Sequence, residues 1–183
     1  MIRRTRMLFE DSERFYDLLR ADLAKFVGYC ERLKLSPLFR PNVASDLDWS
    51  NLAAEFPTVQ FYDYTKVRSR VERIRRGRWP SNYELTYSVN EQSHHRTIGA
   101  YLRAGFNVAA VFDTDYFPQI GRIGELPDEW RFDGREWPVI DGDKHDMRLR
   151  EIDGQGVVVG LRFKGSRKRM QAAIDNGFVF GVN

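Results

Sequence analysis

Between Val139 and Arg148 the sequence reads Val-Ile-Asp-Gly-Asp-Lys-His-Asp-Met-Arg, which places Asp141, Asp143, His145 and Asp146 within six residues. Carboxylates this close can hold a hard divalent cation through oxygen, or exchange a proton with a substrate as an acid–base element. The spacing is not that of a twelve-residue calcium loop, and Lys144 and Arg148 could neutralise the run. The aspartates would then hold turn N–H groups instead. His94 and His95, adjacent on a predicted helix, diverge by about 100° and do not suit a shared metal. Asp46, Asp63, Asp113 and Asp115 fall at or near predicted C-terminal strand ends, where parallel sheets gather ligand contacts; each could equally cap a following helix. No glycine-rich phosphate loop, nucleophile elbow or His-Glu zinc signature is present, so no nucleophile stands out.

The second concentration of chemistry is cationic. Seven Lys or Arg residues fall between Lys66 and Arg78, directly after the aromatic run Phe61-Tyr62-Asp63-Tyr64. Arg68, Arg70, Arg73, Arg75, Arg76 and Arg78 are therefore candidates for surface contact with nucleic acid or an acidic protein. Val67, Val71 and Ile74 at i, i+4, i+7 offer the other reading, a helix seated on one side with a solvated basic face.

Composition bounds the rest. The chain has 183 residues, 42% hydrophobic and 30% charged, with a net charge of +3. That suits one packed domain over residues 1–183, and any nucleic-acid binding must rest on local clustering of charge. Cys30 is the one cysteine, which excludes an internal disulfide and a cysteine-based zinc or iron–sulfur site. A cytoplasmic setting is the expectation. No apolar run approaches a signal peptide or a membrane span.

Positioning these residues requires a frame. Asp11 or Ser12 can cap a long helix whose apolar positions run from Phe15 to Leu33 and stop before Ser36-Pro37. Strands are predicted at Leu38–Ala44, Thr58–Thr65, Tyr83–Ser88 and Phe106–Phe112, with helices at about Trp49–Phe56, along the basic segment and at Ser93–Ala104, the last stopped by Gly105. Residues 113–138 read as an irregular loop. The C-terminal part reads as strands at Val139–Asp141, Met147–Glu151 and Val157–Lys164, with hairpin chemistry at Asp153-Gly154-Gln155-Gly156, then a helix at Arg167–Asn176. This order predicts an α/β fold, a partial or open barrel of mostly parallel strands with a C-terminal antiparallel hairpin.

Several predicted strands carry one polar face. Val59 and Phe61 alternate with Gln60, Tyr62, Tyr64 and Lys66; Leu85 and Tyr87 alternate with Thr86 and Ser88; Leu161 and Phe163 alternate with Arg162 and Lys164. Arg40 and Asn42 follow the same rule beside Phe39 and Val43. Unpaired buried polar groups cost about 1–3 kcal/mol each, so such a face is expected to see water or line a ligand cavity. The expectation is an anionic small-molecule ligand, a nucleotide among the candidates, held by Arg40, Asn42, Tyr62, Tyr64, Lys66, Ser88, Arg162 and Lys164. The cations would meet charge, Asn42 and Ser88 would orient, and the tyrosines would stack on a ring.

A set of short strings resembles a family found in phages, plasmids and bacterial genomes, related to the phage "gene product eighty-eight" proteins. They are Arg4-Thr5-Arg6 with Phe9, Asn42 with Ser45-Asp46, Phe61 to Lys66, Asn82-Tyr83 with Leu85 to Ser88, Asn107-Val108-Ala109 with Val111-Phe112, Asp141-Gly142-Asp143 with Asp146 and Arg148, and Val159-Gly160-Leu161 with Lys164-Gly165. The resemblance implies a strand–helix order similar to a partial barrel of the radical S-adenosylmethionine type. Longer relatives carry a cysteine-rich segment ahead of this region; no such cysteines stand here, so no iron–sulfur cluster carries over, while a divalent metal stays open. Whether such a segment precedes Met1 in the gene is left open. The resemblance implies a phage or mobile-element protein whose trimmed barrel keeps a polar, basic pocket without redox chemistry. The alternative is an anti-defence effector, such as an inhibitor of a CRISPR or other host nuclease system, acting through the Lys66–Arg78 segment.

Overall fold

The computed structural model describes residues 2–114 and 123–182. Its elements in chain order are α1 (Ile2–Glu10), α2 (Ser12–Leu33), β1 (Leu38–Phe39), α3 (Ser50–Glu55), β2 (Gln60–Thr65), α4 (Arg68–Arg75), β3 (Tyr83–Ser88), α5 (His95–Arg103), β4 (Val108–Asp113), β5 (Glu129–Phe132), β6 (Arg135–Asp141), α6 (Arg150–Asp153), β7 (Val158–Arg162), α7 (Arg167–Asp175) and β8 (Val179–Gly181). The Asp11 carboxylate accepts the Arg14 N–H at 3.3 Å to start α2, and Lys34 ends it in the left-handed conformation. Gly105 follows α5 at φ +81, a backbone that glycine adopts at no steric cost.

The strands form one open, mostly parallel sheet in the order β1-β2-β3-β4-β7-β6-β5, with β8 also pairing β4. β3 meets β4 only at Val108 and Ala109, whereas β8 meets it at Val111 to Asp113. Since β7 occupies the other edge of β4, β3 and β8 share one edge, and β8 fills the gap where β3 splays away.

The antiparallel pair is β5–β6, turning at Asp133-Gly134, where both residues have positive φ. The sequence places a hairpin at 153–156 instead. β6 and β7 are in fact parallel, with Val139 opposite Val158, so the chain must travel back along the sheet between them and a tight turn cannot serve. That return contains α6, and residues 147–151 form no strand. β1 is also shorter than predicted, so Arg40 and Asn42 lie just beyond it. Asp115 lies outside the described residues.

Alternation assigns the two faces. Phe61, Asp63 and Thr65 pair in register with Tyr83, Leu85 and Tyr87 on a buried face. There they pack with Leu23 of α2, Leu52 and Ala53 of α3 and, farther along the sheet, Val71 of α4 and Ile98, Tyr101 and Leu102 of α5. Tyr62, Tyr64, Glu84, Thr86 and Ser88 take the other face. The path from β1 to β4 advances across the sheet while β6 to β7 steps back, so right-handed crossovers put α6 on that second face. The Arg150 N–H bonds the Glu84 carboxylate there at 2.7 Å.

Candidate anion site on the second face of the sheet

Residues 143–149 lead from the C-terminal end of β6 back to α6, and they bring new groups to Tyr62 and Tyr64. The Arg40 guanidinium lies over the Tyr64 ring, 5.0 Å from its centre, and its Nη1 meets Asp146 at 2.7 Å. Arg40 Nε stands 3.8 Å from the buried Asp63 carboxylate and is itself buried without a hydrogen-bond partner. Both tyrosine hydroxyls are held above their ordinary pKa, first by burial; the charges felt by each include Arg40, Arg148 and Asp146. They remain neutral donors at physiological pH.

Arg148 is the most unusual group. Its side chain is 0% exposed and its nearest carboxylate, Asp153, is 1% exposed, yet they stand 3.6 Å apart, beyond hydrogen-bond reach. Nη2 donates to the His145 carbonyl at 2.6 Å and meets His145 Nδ1 at 2.9 Å. Nε and Nη1 have no hydrogen-bond partner, and neither does Asp153 Oδ2. Burial pushes the Asp153 carboxyl up, against the pull of Arg148. An arginine this buried is ordinarily saturated, because unpaired N–H groups in a low dielectric are costly.

The other predicted site residues separate from this group. Asn42 is consumed on the opposite face: its N–H and Nδ2 donate to Asp63, and its Oδ1 accepts from Ser45 Oγ, the Leu47 N–H and Trp49 Nε1. Tyr83 Oη donates to the same Asp63 at 2.9 Å. Burial raises the Asp63 pKa to about 6 despite these donors. Arg162 pairs in register with Phe112 and so shares the face of Phe61, not that of Tyr62. It is braced by Asp141 at 2.8 and 3.0 Å, Asp143 at 3.2 Å and the Gly124 carbonyl at 2.8 Å. Lys164 meets Asp143 at 2.8 Å. Asp141 is held below the usual carboxylate range chiefly by Arg162; burial works the other way at Asp143, yet Lys164 and the Arg162 N–H keep it low as well. Asp146 is therefore not a third member of their group, and among the described residues no cluster of three His, Cys, Asp or Glu could hold a metal ion. Lys66 stacks over Phe178, and Ser88 is half-buried.

The basic helix also divides. Arg70 is buried, not on the surface, and its guanidinium is held by the Asp46 side chain and carbonyl. Arg73 meets Asp48 and Ser50 and lies over Trp79, while Arg75 pairs with Glu72. Arg68 reaches Thr97 on α5, and Arg76 and Arg78 are exposed.

The family model "Gene product 88" matches residues 1–180, and the chain belongs to that family. No curated protein and no solved structure matches it. No described helix is long and apolar enough to cross a membrane.

Proposed function

We propose that this chain is a phage or mobile-element protein that binds a small anionic ligand on the second face of its sheet, between Arg40, Arg148, Tyr62 and Tyr64. One observation carries the reading. Two neighbouring arginines keep buried N–H groups without partners, and one of them has a side chain fully removed from solvent. A carboxylate or phosphate oxygen is the acceptor that such a fork fits best. The two tyrosines supply neutral hydroxyl donors and a ring already used for stacking by Arg40.

The site is near charge balance, which restricts the ligand. Arg40 and Arg148 stand beside Asp146 and Asp153, and the Glu84 carboxylate accepts only the Arg150 backbone N–H, so an incoming anion must displace a resident carboxylate. Asp146 is the one suited to leave, being 80% exposed. A ligand with one or two negative charges on a flat body fits this exchange.

Thermal shift with inorganic phosphate, nucleoside monophosphates and aromatic carboxylates tests the reading. A rise in melting temperature that is absent from Arg148→Met/Asp153→Leu supports it. No rise with any of these anions, or the same rise in the double variant, overturns it.

A further inference from the structure

A separate feature lies along the C-terminal edge of the sheet, at the connections from β2 to α4, β3 to α5 and β7 to α7. Lys66, Arg68, Arg96, Lys168 and Arg169 are exposed there, together with His94, His95 and Arg167. The first turns of α4, α5 and α7 contain no acidic residue, and none of the three has a side-chain cap. α2 shows the ordinary arrangement, with Asp11 as its cap and Glu13 in its first turn. Acidic groups near the edge are few among the described residues: Asp46 is consumed by Arg70, Asp141 and Asp143 by Arg162 and Lys164, leaving Glu91, Asp113 and Glu125.

The connections are physically joined. Arg68 Nη2 donates to Thr97 Oγ1 at 3.2 Å, linking the starts of α4 and α5. Lys66 continues the Tyr62, Tyr64 alternation and lies over Phe178, which leads into β8 beside β4. This is also where the crossovers change faces, the position at which open α/β sheets receive ligands beyond their strand ends. From β2 to β7 the edge spans roughly 15–20 Å at about 4.8 Å per strand. That length faces about five phosphates of one nucleic-acid strand, at about 3.4 Å per phosphate.

We infer that this edge binds the phosphate backbone of a nucleic acid, independently of the small-anion site. Arginine outnumbers lysine along it and can fork onto phosphate oxygens, and the length of the row, matched to consecutive phosphates, is what favours a nucleic-acid backbone. The surface runs across the starts of three helices and not along α4, so Arg76 and Arg78 at the far end of that helix lie outside it.

Fluorescence anisotropy with a labelled single-stranded oligonucleotide and its duplex, over a salt series, tests the assignment. Binding to at least one probe is expected, with a log–log salt slope of about −3.5 for the single strand or about −4.5 for the duplex. Arg96→Glu/Lys168→Glu/Arg169→Glu, with its melting temperature checked, should weaken binding at least tenfold. Arg76→Glu/Arg78→Glu and Arg148→Met/Asp153→Leu should stay within about twofold, the last keeping this result distinct from the fate of the small-anion site. No binding to either probe, equal loss in the Arg76/Arg78 variant, or equal competition by polyglutamate overturns the inference; the last points to an acidic protein partner.

Discussion

Arg162 and Arg148 are both withdrawn from solvent, and they differ in how their charge is met. Arg162 has two carboxylates and a carbonyl within hydrogen-bond distance of its three nitrogens, which makes it a brace between β6, β7 and the residue 124 backbone. Arg148 has a carbonyl and an imidazole on one nitrogen, a carboxylate just out of reach and two nitrogens unmatched. Satisfaction marks the first as structural. Incomplete satisfaction marks the second as the group on which the proposed anion site rests.

The largest effect should come from breaking the brace. Arg162→Met leaves half-buried Asp141 without its main counter-charge and Asp143 with Lys164 alone, and chemical denaturation should show a loss of about 3 kcal/mol. Arg148→Met/Asp153→Leu removes an ill-matched pair together, and the same measurement should show a change within about 1 kcal/mol, or a gain. Equal losses in the two variants would erase the distinction between the arginines.

Asp63 sharpens the comparison through pH. Its folded-state pKa lies near 6, above the ordinary 3.8, so the native state holds the proton more tightly than the unfolded chain. Its contribution is therefore most favourable below about pH 4 and declines as pH rises through about 6, by on the order of 2–3 kcal/mol. Asp141 and Asp143 behave oppositely: their contribution is present above the normal carboxylate range and is lost as pH falls through their lowered values. Melting temperatures of the wild type and Asp63→Asn from pH 3.5 to 7 should show the wild-type advantage shrinking with rising pH. An advantage that grows instead would mean that the carboxylate, not the acid, fits this site.

The smallest effect concerns the exchangeable carboxylate. Asp146→Asn weakens the hold on Arg40 without touching the sheet, and binding of an anion that raises the wild-type melting temperature should tighten about two- to tenfold by calorimetry. Weaker binding would mean that Asp146 helps to hold the ligand.

Much of this architecture was legible in the residues. Period-two alternation identifies β2, β3 and β7, three- and four-residue steps identify α2, and Asp11 is one of the two caps, with Ser12, that the sequence offers for it. Strand partnership was less accessible. Arg162 and Tyr62 each alternate with apolar neighbours, so a strand read alone suggests that both join one polar face; the Phe112 to Arg162 register puts them on opposite faces. Arg70 looked like its neighbours in a basic run, because the Asp46 that buries it sits 24 residues earlier. Arg148 was visible only as a cation neutralising nearby aspartates. Its burial follows from the parallel placement of β6 and β7, which forces residues 143–149 back along the sheet, and no local pattern encodes that.

The most direct test of the small-anion account is calorimetric titration of the wild type and Arg148→Met/Asp153→Leu with whichever phosphate or carboxylate gives the largest thermal shift. The account predicts saturable one-to-one binding to the wild type and at least a tenfold loss in a double variant of unchanged stability. Undiminished affinity in that variant would contradict it.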